Sequence, residues 1–251
     1  MTLYFIGLGL NNEKSITING LEAIKKCDIV YLENYTSILN CTKEQLEKFH
    51  NKKIILARRN LVEADDNEII KNAKTKNVAF LVVGDPLIAT THIDLLLRAK
   101  KEGITVNVMH NSSIISAVGI TGLQVYKFGK TTSIPLENDN IETPYDVLKG
   151  NLSLGLHTLF LLDLNPEEEK FMSVNDAIRY LLKAEIKQNQ KIFSEKVFCI
   201  GCARIGGENQ VIKAGTAKDL LKRDFGNPVH CLIVPGKLHF MEEETLKLYR
   251  G

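Results

Sequence analysis

The chain has 251 residues, of which 44% are hydrophobic, and its formal net charge is +2. This length allows one large domain or two modest ones, and the hydrophobic fraction is sufficient for a packed core. A charge so close to neutral does not favour a nucleic-acid-binding protein, and no apolar run approaches the roughly 20 residues that span a bilayer.

The N-terminal sequence and the cysteine content indicate the cellular compartment of the protein. The first strand-like run, Leu3–Ile6, follows the start without the basic and long apolar regions of a signal peptide. The five cysteines are an odd number and are scattered, which favours reduced thiols. We therefore expect a cytoplasmic protein without a membrane segment.

The first half of the sequence alternates predicted strands with predicted helices. Thr17 and Thr42 are predicted helix N-caps, and Gly103 is predicted to end a helix that follows His92. Such alternation predicts a parallel sheet with helices on its faces. The predicted strands are 3–8, 28–32, 53–57, 78–83 and 104–108, and the predicted helices include 66–74 and one that begins at Ile114.

The second half follows a stretch, 127–156, that changes character and is rich in proline, glycine and polar residues, and we place the domain boundary near 127–135. We expect two α/β domains, residues 1–130 with a mostly parallel sheet and residues 131–251 with a mixed sheet. The predicted strands of the second domain are 158–162, 197–203, 211–212 and 229–234, and its helices begin at Ser173, Thr216 and His239.

The loop after the buried run Val78–Val83 is the most informative one. It begins Gly84-Asp85-Pro86, and ligands of α/β proteins bind beyond the carboxyl ends of parallel strands. The first strand also ends in glycines, Gly7 and Gly9, but Asn12 stands where a dinucleotide fingerprint needs its third glycine. Asp85 is therefore predicted to lie in a ligand-binding crevice.

Other constellations argue against several enzyme classes. Cys199 and Cys202 form a C-x-x-C within a strand-like run, which indicates core cysteines rather than a redox or zinc pair. The histidines show no H-E-x-x-H spacing, and neither a nucleophile elbow nor a phosphate-binding P-loop occurs. We predict no metal site and identify no catalytic residue, so an enzyme of this kind would work by aligning two reactants.

Taken together, the loops resemble those of the diphthine synthases, which belong to the tetrapyrrole-methylase-like enzymes, and the resemblance covers essentially the whole chain. HNSSI and LQVYKFG distinguish this branch from the tetrapyrrole methylases proper. The segments that carry the resemblance are LYFIGLGL at 3–10, YLENYTS at 31–37, FLVVGDPLIATTH at 80–92, HNSSI at 110–114, GLQVYKFGKTTSI at 122–134, HTLFLLDL at 157–164, MSVNDA at 172–177, ARIGG at 203–207 and PVHCLIVPGKLHFMEEE at 228–244.

The resemblance implies a methyltransferase that uses S-adenosylmethionine and releases S-adenosylhomocysteine. The implied substrate is a histidine of translation elongation factor 2 that already carries a 3-amino-3-carboxypropyl group. Repeated methylation of the amine of that group gives diphthine, on the way to diphthamide. Family members are homodimers that hold the cofactor in a cleft between the two domains. The short segment Asn165–Phe171 before MSVN resembles the compact, archaeal-like form.

The resemblance also implies a set of cofactor-binding residues. Ile88 differs from the family pattern, in which the residue is often smaller, and would narrow the pocket if it packs against the cofactor. The implied set is Leu10, Asp85, Ile88, Ser113, Ile114, Leu164, Ile205 and His230.

Two alternatives remain open at this point, a corrin or porphyrin methyltransferase and a nucleotide-binding module without catalysis. If the protein is the amine methyltransferase, methyl transfer from a sulfonium to a neutral amine needs little beyond alignment of the reactants and exclusion of water. The expectation is that the neutral amine comes from its equilibrium in solution, because no residue in the sequence is identified as its proton acceptor.

Overall fold

The computed structural model describes residues 1–64 and 67–250, so Asp66 of the predicted helix 66–74 lies outside the described residues. The chain divides into two compact units, Met1–Ile114 and Ile115–Gly251. Residues 115–130, which the sequence analysis places in the first domain, group with the second unit. Each unit combines one five-stranded sheet with helices, which agrees with the predicted α/β class, although β6 of the second sheet was not predicted.

The first unit contains a wholly parallel sheet with the strand order β3-β2-β4-β1-β5. Every residue of the central strand β4 is buried, which is typical of a parallel sheet covered on both faces. The strands are β1 (Thr2–Gly7), β2 (Ile29–Glu33), β3 (Ile55–Ala57), β4 (Val78–Val82) and β5 (Thr105–Met109), and the helices are α1 (Ile18–Lys25), α2 (Lys43–His50), α3 (Arg59–Glu63), α4 (Glu68–Ala73) and α5 (Ile93–Lys101).

Alternation along the strands of the first unit supplies two cores, one on each face of its sheet. Phe5, Tyr31 and Phe80 lie in one cluster, while their neighbours Ile6 and Leu81 lie in the other. Helices α1 and α2 begin after Thr17 and Thr42, the N-caps that the sequence predicts. The Thr42 hydroxyl accepts a hydrogen bond from Gln45 N at 3.2 Å, and Gln45 Oε1 accepts one from Thr42 N at 2.7 Å.

The second unit contains a mixed sheet with the strand order β11-β10-β12-β7-β6, in which the β6–β7 pair is parallel and the other pairs are antiparallel. The short strands β8 (Leu164–Asn165) and β9 (Lys170–Phe171) pair with each other. The sheet strands are β6 (Thr132–Ile134), β7 (Thr158–Leu162), β10 (Phe198–Ala203), β11 (Val211–Thr216) and β12 (His230–Val234), and the helices are α6 (Ile114–Ala117), α7 (Thr143–Ser153), α8 (Val174–Gln188), α9 (Ala217–Leu220) and α10 (Phe240–Lys247), with α6 beginning at the last residue of the first unit.

No helix or strand was predicted from the sequence in 127–156, yet β6 and the 11-residue helix α7 lie within this stretch. Pro144 occupies the first turn of α7, where its missing N–H costs no intrahelical hydrogen bond. Tyr145 and Leu148 are fully buried on the inner face of the helix. Pro144 therefore lies at the start of α7, and Gly150 lies on its exposed side.

The state of the cysteines and the length of the helices bear on two expectations from the sequence, reduced thiols and no membrane segment. All five cysteines are free thiols, and Cys202 lies opposite Cys231 in the antiparallel β10–β12 pair. None of the helices in residues 1–64 and 67–250 has the combination of length and apolar character that crossing a membrane requires.

Candidate active site

The carboxyl ends of β4, β1 and β5, which are neighbours in the sheet of the first unit, form one connected set of loops. Leu8 N donates to Val82 O at 2.8 Å. Gly9 and Gly84 then bond to each other in both directions, with Gly84 N to Gly9 O at 2.8 Å and Gly9 N to Gly84 O at 3.2 Å. The loops after β1 and β4 are thus joined by backbone hydrogen bonds.

Glycine is required where these loops meet. A Cβ atom added to Gly7 would lie 2.6 Å from Gly84 O and 2.8 Å from Asn111 Cβ, so a larger residue would separate the loops. Gly84 has φ of +76°, a conformation that side chains disfavour. Ala89 in the same loop has φ of 57°, and non-glycine residues in this region occur often at functional sites.

The Asp85 carboxylate is buried, and its hydrogen bonds connect the loop after β4 to the loop after β5. Oδ1 accepts from Leu87 N at 3.0 Å, which closes a tight turn within the loop. Oδ2 accepts from Asn111 N at 3.2 Å and from His110 Nδ1 at 2.8 Å. The carboxylate that was predicted to face a crevice therefore accepts hydrogen bonds from groups of the protein itself.

Asn111 and His92 support the same loops from both sides. The Asn111 amide donates to Gly7 O and Ser15 O, each at 3.0 Å. His92 is buried at the start of α5 and contacts Pro86 O through Nδ1 at 3.1 Å and the Tyr35 hydroxyl through Nε2 at 3.3 Å. Burial lowers the pKa of His92, so the neutral ring donates from Nδ1 and accepts at Nε2.

The five residues of the first unit that the resemblance implied lie on these loops. Leu10 and Ser113 approach Gly84 most closely, since a Cβ built on Gly84 would be 3.8 Å from Leu10 Cδ2 and 3.9 Å from Ser113 Cα. Ile88 is 41% exposed, and Ile114 begins α6. The structure brings Leu10, Asp85, Ile88, Ser113 and Ile114 to one edge of one sheet.

A cluster after β2 also lies at this edge, and sequence reasoning assigned it no role. The buried Glu33 carboxylate accepts from Tyr35 N, Thr36 N and the Thr36 hydroxyl at 2.7–3.0 Å. Burial raises the pKa of Glu33 despite these bonds. The Arg59 guanidinium lies over the Tyr35 ring at 5.2 Å. The position of Glu33 at a strand end was the signal available in the sequence.

The second unit brings its three implied residues to one edge of its own sheet. His230 begins β12 and lies opposite Ala203, two residues before Ile205. Cys231, next to His230, lies opposite Leu161 near the end of β7, and Leu164 follows shortly after that strand. Leu164, Ile205 and His230 are all buried or nearly so.

The loop around Ile205 is held by Arg204, which has φ of 51°. Its guanidinium donates to Asn209 O at 3.1 Å and Phe225 O at 3.0 Å, and it also contacts Asn227 O. The Arg204 guanidinium thus donates its hydrogen bonds to backbone carbonyl groups and holds the loop around Ile205 against the loop that contains Phe225 and Asn227.

The two ring nitrogens of His230 have different surroundings in the described part of the chain. Its Nε2 lies 3.1 Å from Gly226 O and 3.0 Å from Asn227 O, so Nε2 holds the proton and donates. Nδ1 is then a buried acceptor, and none of residues 1–64 and 67–250 donates a hydrogen bond to it. Burial lowers the pKa of His230, which keeps the ring neutral. A buried lone acceptor is a suitable place for a ligand donor.

Comparison with known proteins identifies the family. Residues 2–221 match the Tetrapyrrole (Corrin/Porphyrin) Methylases. A protein of Methanococcus maripaludis named diphthine synthase is 47% identical over 248 residues, which cover 98% of this chain and 97% of that protein. The chain belongs to the diphthine synthases. This membership confirms the resemblance and the prediction of a methyltransferase of diphthamide biosynthesis.

Further relatives extend the same family to eukaryotes and to solved structures. The diphthine methyl ester synthase of Dictyostelium discoideum is 44% identical over 269 residues, covering 100% of this chain and 98% of that protein. A crystal structure of a diphthine synthase superposes with a TM-score of 0.91 at 37% identity, covering 100% of this chain and 96% of that one. The two-domain tetrapyrrole methylase fold is thereby confirmed.

Proposed function

We propose that the chain transfers methyl groups from S-adenosylmethionine to the amine of a 3-amino-3-carboxypropyl-histidine on translation elongation factor 2, giving diphthine and S-adenosylhomocysteine. The observation that carries this proposal is full-length similarity, at 47% identity, to a protein named diphthine synthase. Relatives that match along the whole chain favour this reaction over a porphyrin substrate and over a binding module without catalysis.

The residues present fit S-adenosylmethionine, and the orphaned His230 Nδ1 is the observation that tests the fit. The methyl donor carries hydroxyl and amino donors, one of which would satisfy this buried acceptor. The proposed set also contains the apolar residues Leu10, Ile88, Ile114, Leu164 and Ile205. The donor supplies a methyl group on a sulfonium, whose thioether is a good leaving group.

Asp85 would contribute to cofactor binding by shaping its loop. Its carboxylate oxygens already accept three N–H groups, so the neighbouring backbone is what the loop presents to a ligand. The hydrogen bonds from Asn111 and Leu87 hold that backbone in one conformation. The cost of ordering the loop is thus met before a ligand arrives, which is how preorganisation raises affinity.

A homodimer in the cytoplasm completes the proposal. The elongation factor acts in the cytoplasm, and a protein without a membrane helix among its described residues can meet it there. Light scattering on the purified chain tests the dimer, for which we expect twice the mass of the 251-residue chain.

A second candidate reaction is methylation of the carboxylate of the same group. The observation that favours it is the name of the Dictyostelium relative, a diphthine methyl ester synthase. The amine and the carboxylate belong to one substituent, so a site that admits one also admits the other.

Mass spectrometry of the elongation-factor peptide tests both reactions. The acceptor must carry the aminocarboxypropyl group, and precorrin serves as the competing small-molecule substrate. We expect peptide masses that increase in steps of one methyl group, and mild alkali distinguishes the products because it removes esters but not N-methyl groups. Methylation of precorrin with none on the peptide would contradict the proposed function.

A further inference from the structure

The first unit contains a carboxylate–imidazole pair that the sequence analysis did not connect. Asp85 Oδ2 lies 2.8 Å from His110 Nδ1. The Asp85 side chain is 2% exposed, whereas that of His110 is 69% exposed. A buried acid therefore holds one nitrogen of an imidazole whose other nitrogen faces outward.

From this geometry we propose that His110 is the general base of the methyl transfer, accepting the proton of the acceptor amine at Nε2, with Asp85 as its positioning residue. The inference rests on the proposed function, because it assigns a role within that reaction.

The tautomer follows from the hydrogen bonds of Asp85. The hydrogen bonds that the described residues give to its carboxylate come from nitrogens, and the backbone N–H groups of Leu87 and Asn111 can only donate. The carboxylate accepts from them, so His110 Nδ1 must carry a proton to bond to Oδ2. In the neutral ring Nε2 then holds the lone pair. An oriented imidazole of this kind is the arrangement by which proteins build a base.

The position of the pair suits the reaction. Asp85 and His110 follow β4 and β5, on either side of β1 in the sheet. His110 is also three residues before Ser113 and four before Ile114, two of the proposed cofactor-binding residues. In the part of the chain that the structure describes, Asp85 is the titratable group that contacts the His110 ring. Its hydrogen bond to Nδ1 is sufficient to orient the ring, so no charged group from another element is needed.

Repeated methylation of an amine is accelerated by a reusable base, and His110 would replace the equilibrium in solution that the sequence analysis expected to supply neutral amine. An aliphatic amine is mostly protonated at neutral pH and has then no lone pair. Once His110 Nε2 has taken the proton, the amine nitrogen bonds to the methyl carbon, the carbon–sulfur bond breaks and the sulfur keeps its electron pair. The methylated nitrogen is again a cation, so each further transfer to it needs another proton removed. The exposure of His110 allows it to return each proton to water.

The carboxylate of the same group makes a different demand. Its oxygen is already anionic and loses no proton when it forms a methyl ester. Substitution of His110 is therefore expected to slow methylation at nitrogen while it leaves any methylation at oxygen largely unaffected. A residue that only supported the loop would affect both products alike.

The test compares wild-type enzyme with His110→Gln and His110→Ala, using elongation factor that carries the aminocarboxypropyl group. At pH 7 we expect N-methylation to fall at least about 100-fold, the scale of general-base catalysis. The deficit should shrink at high pH, where solution supplies neutral amine, and added imidazole should partly restore His110→Ala. His239→Asn is the matched control, because His239 is an exposed histidine that caps α10 and asparagine also caps helices.

Two measurements without turnover complete the test. Calorimetry with S-adenosylhomocysteine should give wild-type affinity within about threefold for His110→Gln, since a binding defect would indicate loop support. Nitrogen NMR of the wild-type imidazole, assigned through His110→Gln, should show a proton on Nδ1 and a lone pair on Nε2 in the neutral ring.

The outcomes separate the two proposals. A wild-type enzyme that methylates the acceptor while His110→Gln keeps its full rate overturns the base alone, as does a proton found on Nε2 of the neutral ring. Equal loss of N-methylation and of cofactor affinity also overturns it. A wild-type enzyme that leaves the modified elongation factor unmethylated overturns the proposed function and the base with it.

Discussion

At the scale of single residues, the strand-end loop of the first unit depends on how one carboxylate is used. Asp85 accepts hydrogen bonds from Leu87 N, Asn111 N and His110 Nδ1, and so couples the loops after β4 and β5. The Gly-Asp-Pro sequence predicted an acid at the end of a strand. Only the folded neighbours determine that the acid orients a histidine.

Replacing Asp85 with alanine should weaken S-adenosylhomocysteine binding at least about tenfold, or roughly 1.4 kcal/mol. The variant leaves Leu87 N and Asn111 N without their acceptor, so the loop loses its fixed conformation. Titration calorimetry measures the change. Asp94→Ala on α5, whose side chain is 66% exposed, is the control. Wild-type affinity in a folded Asp85→Ala protein would remove Asp85 from the proposed site.

At the scale of elements, helix ends account for much of the agreement between the sequence and the structure. Ser173 and Asp176 form the predicted capping box at the start of α8, with Ser173 Oγ accepting from Asp176 N at 3.1 Å. The end of α8 was not assigned from the sequence, although Asn189 is a residue type that ends helices. Asn189 adopts the left-handed conformation there, and Glu185 from the last turn holds the chain that follows.

Glu185 accepts four hydrogen bonds at the end of α8. They come from the Tyr145 hydroxyl at 2.6 Å and from the backbone N–H groups of Lys191, Ile192 and Phe193 at 2.6–2.8 Å. Burial acts to raise the pKa of Glu185, but the hydrogen bonds outweigh it and lower the pKa to about 2. One carboxylate therefore fixes the turn that inserts Phe193 into the core.

Glu185→Ala should destabilise the second unit by about 2 kcal/mol or more, since several donors lose their acceptor at once. Urea unfolding measures the free energy, and hydrogen exchange should accelerate first at the amides of Ile192 and Phe193. Ile186→Ala, the neighbouring substitution at an 84% exposed side chain, should stay within about 0.5 kcal/mol. A similar small effect for Glu185→Ala would contradict the role given to this carboxylate.

At the scale of the whole molecule, stability at low pH depends on buried ionisable groups. Glu242 is fully buried on α10 and binds Lys127 Nζ at 2.5 Å and His157 Nε2 at 3.0 Å. Gly236 N donates to His157 Nδ1, so the ring is neutral and donates to the glutamate. Burial lowers the pKa of His157, whereas hydrogen bonds, outweighing burial, lower that of Glu242 to about 2.

The lowered pKa values of His157 and Glu242 both make the folded protein less stable as the pH falls. A buried histidine with a lowered pKa binds its proton more readily in the unfolded chain, so stability falls as the pH drops below the ordinary value of 6.5. The carboxyl of Glu242 stabilises fully above its ordinary pKa of 4.5, and that contribution is lost as the pH falls towards about 2. We expect the melting temperature to decline from pH 7 to pH 5 and further below pH 4.5.

Glu242→Gln tests the second part of this dependence. Breaking a buried ion pair costs about 3–5 kcal/mol, so the variant should be much less stable at pH 7. The difference from wild type should narrow as the pH falls from 4.5 towards 2, because the wild-type carboxyl then becomes protonated as well. Thermal melts across this range measure it, with exposed Glu243→Gln as the control on the same helix. A gap that stays constant with pH would contradict the assignment.

The sequence by itself determined the fold class, because strand and helix periodicities and caps such as Thr42 and Ser173 are local signals. It also placed Gly84, Asp85 and His110 at strand ends, since apolar runs stop there. It failed at α7, where Pro144 is compatible with a first helical turn but resembles a breaker in isolation.

What only the tertiary structure decided is which of these strand-end residues meet. Asp85 and His110 are 25 positions apart in the chain, and the parallel pairing of β4, β1 and β5 brings them to 2.8 Å. A pairwise contact of this kind depends on strand order, which periodicity does not encode. The same holds for Glu242, 85 positions from His157, whose hydrogen bond inside the core forms only when α10 packs against the rest of the second unit.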